Sequence, residues 1–87
     1  MADIDPNETV VIRDPGILGG RAVFRGTRVP IETVFENLIE GVGLDEILYN
    51  FPTLERRDVE CAIMQACDAL KASAPDITAE RSLARVP

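Results

Sequence analysis

Between Val29 and Ser73 apolar residues recur at helical spacing in three successive pieces. Ile31, Val34, Phe35, Leu38 and Val42 share one face of a first segment. Leu44, Ile47, Leu48 and Phe51 do so in a second, and Val59, Ile63, Ala66 and Leu70 in a third. Steps of three and four residues mark amphipathic helices. Gly41-Val42-Gly43 separates the first helix from the second, and Phe51-Pro52-Thr53 separates the second from the third. The predicted helices therefore run over 29–42, 43–51 and 52–73. Ahead of them, the β-branched run Thr9-Val10-Val11-Ile12 predicts a strand, and Arg21-Ala22-Val23-Phe24 a second one. Asp14-Pro15-Gly16 and Gly19-Gly20 mark turns around Ile17-Leu18, and Arg25-Gly26 ends the second strand. Two strands alone are marginal in water, so this β unit must pack on the helices or pair with a partner chain.

The helix ends are legible in part. Pro30 suits the opening position of the first helix, with Glu32 in its first turn. Gly41 suits its C-terminal cap. Gly43 is a fair cap for the second helix. Thr53 is the best available N-cap for the third, whose positive end favours Glu55 and Asp58. A short helix joined by a tight turn to a longer one is the helix-turn-helix pattern, whose second member usually enters the DNA major groove. The fold class is mainly α with a small N-terminal β unit ahead of a three-helix helix-turn-helix domain. Residues 1–8 read as a loose end, 9–74 as the single domain, and 75–87 as a tail. In that tail Thr78 caps a short helix with Leu83 and Val86 as its apolar points.

Composition narrows the function classes. A chain of 87 residues with 46% hydrophobic content builds one small core, but with 5% aromatics and no Trp it lacks large anchors. Dimerisation is the expected support. No run approaches the roughly 18 apolar residues of a membrane span, and the acidic start is unlike a signal peptide. The expected compartment is the cytoplasm, with no membrane partner. The net charge of −6 argues against indiscriminate nucleic-acid binding. The whole excess lies in 31–60, on positions such as Glu32, Glu36, Glu40, Asp45 and Glu46, and reads first as a solvated helix face. Any DNA contact must then come from local arginines. The opening of the third helix offers Thr53, Arg56, Arg57 and Glu60 as DNA-binding candidates. The competing reading is a surface pair, Arg56 with Glu60, at i,i+4 spacing.

Catalytic and metal chemistry find little to work with. There is no histidine. Cys61 and Cys67 lie about 240° apart around a helix and cannot pair with each other; both are expected to be buried or half-buried thiols. The glycines match neither a P-loop nor a dinucleotide fingerprint. No base stands near Ser73 or Ser82 in the sequence. The chain is read as a non-enzyme with no metal and no cofactor.

The order of residues also resembles a known family. Ile12-Arg13-Asp14-Pro15, then Gly19-Gly20-Arg21-Ala22-Val23-Phe24-Arg25-Gly26-Thr27-Arg28-Val29-Pro30, then Gly41, Glu46-Ile47-Leu48 and Phe51-Pro52-Thr53-Leu54 resemble the domain of unknown function 433 family. The resemblance runs from Val10 to Leu70. It implies a helix-turn-helix domain of the homeodomain-like or winged-helix-like kind, similar to VapB-type antitoxins. It further implies a homodimer that neutralises a PIN-like ribonuclease toxin and represses its own promoter through operator DNA. On the family pattern Gly19, Gly20, Gly26, Thr27, Arg28 and Pro30 are structural residues of the β unit through which the dimer forms. Thr27 and Arg28 are expected to bond the β unit to the first helix. The chain departs from the pattern at Gly43 and Glu55, where the family often has capping Ser or Thr. A nuclease of this class gathers carboxylates around Mg²⁺ or Mn²⁺. The tail then supplies the toxin-binding candidates: Arg81 and Arg85 as cations, with Ile77, Leu83 and Val86 as apolar anchors. Two other functions remain open, a DNA-binding regulator without a toxin and a bare dimerisation or adaptor module.

Overall fold

The computed structural model describes residues 7–77, and these form two short strands followed by three helices. β1 (Val11–Arg13) and β2 (Ala22–Phe24) pair antiparallel, with Val11 opposite Phe24, Ile12 opposite Val23 and Arg13 opposite Ala22. Their connection begins with a turn in which the Asp14 carboxylate accepts the Gly16 N–H at 2.9 Å. A 3₁₀ turn over Leu18–Gly20 follows, with Gly19 and Gly20 at φ 66° and 90°. A side chain at either glycine would meet the strain of the left-handed region.

The other edge of β2 is closed by the chain itself. Phe24 N–H donates to the Val29 carbonyl at 3.0 Å, and Val23 bridges Pro30. Buried Thr27 stitches this return: its hydroxyl donates to the Phe24 carbonyl at 2.8 Å and accepts the Val29 N–H at 3.0 Å. Because Phe24 N–H points away from β1, Val11 and Phe24 form a non-hydrogen-bonded pair. The backbone groups of Val11 therefore face the outer edge of β1. Among the described residues no third strand covers that edge.

The helices are α1 (Ile31–Ile39), α2 (Leu44–Asn50) and α3 (Arg56–Ser73). All three expected helices and both strands are present, and the mainly helical fold with its small N-terminal sheet is as expected. Pro30 sits just before α1 as its cap instead of inside it. Gly41, at φ 91°, carries the exit of α1: its N–H reaches the Leu38 carbonyl and the Val42 N–H reaches that of Asn37, both at 3.0 Å. This pair of bonds is the Schellman ending that a glycine at this position permits.

Helix three begins later than expected. Thr53 is exposed in a turn and does not cap it. The Leu54 N–H closes that turn on the Phe51 carbonyl at 2.9 Å, which places Leu54 in the core, 6% exposed. Only after Leu54 is buried does the chain turn helical, so the cap falls on Glu55, which makes no side-chain cap bond.

The core joins Val10, Phe24, Val34, Ile47, Leu54, Val59, Cys61 and Ala62. Fully burying a large apolar side chain contributes about 1.5–3 kcal/mol, and five of these eight residues are completely buried Val, Ile or Cys. The β unit thus packs on the helices through Val10 and Phe24, as its marginal size requires. α3 contributes buried residues only between Asp58 and Ala62. Ile63 (37% exposed) and Leu70 (70%) were expected on its inner face but lie outside the core. Cys67 is exposed where a covered thiol was expected; Cys61 is buried, and neither is in a disulfide.

Candidate functional site

The start of α3 carries Arg56, Arg57 and Glu60 of the residues that the helix-turn-helix pattern singled out, with Thr53 left in the exposed turn ahead of it. The helix start sends the two arginines in different directions. Arg56 stays outward, its side chain 49% exposed, and pairs with Asp45 at the start of α2. It also lies 3.7 Å from Glu60, the i,i+4 pair expected as the competing reading. Surface pairs of this sort contribute about 0–1 kcal/mol. They leave Arg56 reachable.

Arg57 turns toward the N-terminal segment. Its Nη2 donates to Glu8 Oε1 at 2.8 Å and its Nη1 to Glu8 Oε2 at 3.1 Å, a two-pronged contact between planar groups. Arg25, just after β2, donates to the same Glu8 Oε2 at 2.9 Å. Beneath them lies Asp58, 8% exposed, with Oδ1 at 3.5 Å from Arg57 and 3.8 Å from Arg25. Gln65 completes the clasp by donating to the Glu8 carbonyl at 2.6 Å. The Arg57 and Arg25 hydrogen bonds hold the Glu8 carboxyl down at about 2, below its ordinary 4.5. The same Glu8 contact raises Arg25 above its usual value. Glu8, Arg25, Asp58 and Gln65 did not figure as site residues in the sequence reading. No local signal marks them, because the cluster joins positions 8, 25 and 57–58 that only the fold brings together.

The distal half of α3 has a different character. Met64 is 45% exposed and Leu70 70%, and beyond the helix Ile77 is 41% exposed. An apolar groove of about 210 Å³ runs between this helix, β1 and α1, lined by Val11, Ile31, Phe35, Ala62, Gln65 and Ala66. A larger open cleft, about 590 Å³, continues it along the 7–11 segment toward Asp68 and Ala69. Of the tail candidates for toxin binding, only Ile77 falls within the described residues. Arg81, Leu83, Arg85 and Val86 lie outside them, as do Thr78 and the short helix expected there.

In the β unit, Gly19, Gly20 and Gly26 all have positive φ, and Thr27 and Pro30 hold the return from β2 to α1. Thr27 bonds within that return, not to α1. Arg28 is exposed and makes no bond among the described residues, so it does not tie the β unit to the first helix as expected. That tie is made by Arg21, which pairs with Glu32 in the first turn of α1. The Arg21 guanidinium lowers the Glu32 carboxyl below its usual range. Among the described residues no group of three or more His, Cys, Asp or Glu is placed to hold a metal ion. No described helix is long and apolar enough to cross a membrane.

This arrangement, a β hairpin folded against a three-helix unit, coincides with a family match. The model of DUF433, a protein family of unknown function, matches residues 11–64, and the chain belongs to that family. The solved structure of a DUF433 member protein from Anabaena variabilis ATCC 29413 superposes with a TM-score of 0.61 at 28% identity, over 75% of this chain and 64% of that one. The uncharacterized protein y4eO of Sinorhizobium fredii (strain NBRC 101917 / NGR234) is 33% identical over 66 residues, which is 76% of this chain. The chain spans only 30% of that relative's length.

Proposed function

We propose that this chain is the antitoxin of a toxin–antitoxin pair, a homodimer that neutralises a PIN-like ribonuclease and binds its own operator DNA. The observation that carries the reading is the division of α3. Its opening turn completes a helix-turn-helix and keeps Arg56 in reach of solvent, while its distal half exposes Met64 and Leu70 and leads through Ile77 into the tail. One helix therefore offers one end to a polyanion and the other to a protein.

In this reading the chain acts in the cytoplasm by binding, without catalysing a reaction. The tail lies across the nuclease's carboxylate cluster. Arg81 or Arg85 takes the place of the catalytic cation there, while Ile77, Leu83 and Val86 seat against apolar surface. A guanidinium offers a carboxylate pair two parallel donors, which suits it to that place. The dimer forms through the N-terminal β unit, and the outer edge of β1, which no strand covers among the described residues, favours this.

The test is co-expression with the product of the neighbouring reading frame. The two proteins should co-purify, and deleting residues 75–87 should abolish inhibition of the ribonuclease while leaving the helical circular dichroism of 9–74 in place. Undiminished inhibition by the truncated chain would reject the reading. A second reading, a DNA-binding regulator without a toxin, is favoured by the exposure of Arg56 alone. It expects a salt-sensitive gel shift on the upstream sequence that Arg56→Ala removes, with no co-purifying nuclease.

A further inference from the structure

Two guanidiniums from different elements, Arg25 after β2 and Arg57 in the first turn of α3, converge on one carboxylate, that of Glu8. Both arginine side chains keep about two-fifths of their surface in solvent, at 43% and 38%. The two oxygens of Glu8 sit where the two unesterified oxygens of a phosphodiester would sit on the same donors. The two carboxylates of the cluster have different standing. Asp58 belongs to α3 itself, next to Arg57 in the chain, and is 8% exposed. Glu8 is placed by the segment leading into β1, through the Gln65 contact and the bond from Arg25 N–H to the Val10 carbonyl at 2.8 Å. Among the described residues the two acids, Glu8 and Asp58, balance the two arginines, and without Glu8 these four positions keep one net positive charge.

We propose that Arg25 and Arg57 form a binding site for a nucleic-acid backbone phosphate, and that Glu8 occupies it as an internal competitor, so that binding DNA displaces the N-terminal clasp. This deepens the helix-turn-helix reading and rests on it. On this proposal the clasp restrains affinity for unrelated DNA: only a duplex that makes further contacts along α3 repays the loss of Glu8.

The experiment compares wild type, Glu8→Gln and Glu36→Gln for binding to a fluorescein-labelled 20-base-pair duplex carrying the upstream sequence, read by anisotropy across a salt series. Glu36 is exposed on α1, so its variant removes the same charge away from the arginines. Glu8→Gln should bind roughly tenfold tighter at low salt, with a log–log salt slope steeper by about one. Adding Arg57→Ala should reverse both changes. Equal gains in Glu8→Gln and Glu36→Gln, or none in either while wild type binds, would overturn the inference and leave the DNA reading standing. In parallel, inorganic phosphate is titrated while the Nε–Hε resonances of Arg25 and Arg57 are followed by NMR. Movement of both in Glu8→Gln at phosphate levels that leave wild type unmoved supports the site even where no variant binds DNA, and then it is the DNA reading that falls. If neither protein responds to phosphate or DNA, both ideas fail. Wild type gives a check independent of any substitution: DNA should accelerate amide exchange at Thr9 and Val10, and unchanged exchange on saturation would count against displacement.

Discussion

The two halves of α3 share a sequence character and differ in everything around it. From Asp58 to Ala62 the helix is enclosed by β2, α1 and α2 and buries Asp58, Val59, Cys61 and Ala62. From Ile63 to Ser73 no side chain is buried. Both halves are rich in good helix formers, so both are helical. Short helices are marginal in water, however, and draw most of their stability from packing of one face. The first half has that packing within the chain. Among the described residues the second half has little beyond the Gln65 contact with Glu8 and the half-buried Ala66, so Met64 and Leu70 stay exposed.

The largest effect that tests this contrast comes from truncating each half's apolar contacts. Phe24, 1% exposed, packs in the cluster that encloses the first half, and Phe24→Ala should cost about 3–5 kcal/mol in urea unfolding. Leu70→Ala, on the open half, should change the stability of the isolated chain by no more than about 0.5 kcal/mol. A Leu70→Ala penalty above that, growing as the protein is concentrated, would show that the open half is an interface between copies of this chain. Next in size is Gly41→Ala. It forces a side chain to adopt φ 91° where α1 hands over to α2, and should cost about 1–3 kcal/mol by thermal melting. No atom lies close enough to clash with the added methyl, so the loss reports backbone strain alone. A gain of stability is expected at the entry of α3. Glu55 has the extended cap conformation, φ −110° and ψ 140°, but makes no capping bond. Glu55→Ser should raise stability by about 0.5–1 kcal/mol; an unchanged melting temperature would mean that the serine hydroxyl does not reach the first-turn N–H groups.

How far the sequence carried the fold follows from what each signal depends on. Helical spacing and the glycine breaks are local, and they located α1, α2 and α3 and the exit at Gly41. The late start of α3 was hidden because Thr53 has the right chemistry for a cap, while the burial of Leu54, a tertiary demand, decides where the helix begins. Ile63 and Leu70 continue the apolar period of Val59, yet periodicity cannot say whether anything faces it. The site was legible only at Arg56 and Arg57, which adjoin each other in the chain. That Arg57 would turn to Glu8 was not, because their contact spans 49 positions and is created by packing the N-terminal segment beside α3. Asp58 read as a helix-terminus acid, and only its burial between two guanidiniums gives it a second role.

The smallest expected effect is one of pH, and it falls where Glu8 is held, on the enclosed half of α3 and at Gln65 just beyond it. The Glu8 carboxyl titrates at about 2 in the folded chain against an ordinary 4.5, held down first by Arg57 and then by Arg25. A depressed carboxyl contributes stability that is fully present above its unfolded value and is lost as pH falls toward its folded value. The contribution of the clasp should therefore be constant from pH 7 to about 5 and decline between about 4.5 and 2. Because the pairs are solvent-accessible, the effect is modest and weakens with salt. Melting wild type and Glu8→Gln in parallel isolates it: wild type should melt higher at neutral pH, with the gap narrowing steadily below pH 4.5. Amide exchange should assign the loss to 8–12, the first turn of α3 and the turn around Gln65, leaving Leu70 to Ser73 unaffected. A gap that persists unchanged to pH 3, or one spread evenly along α3, would mean that Glu8 is held by something other than the two guanidiniums.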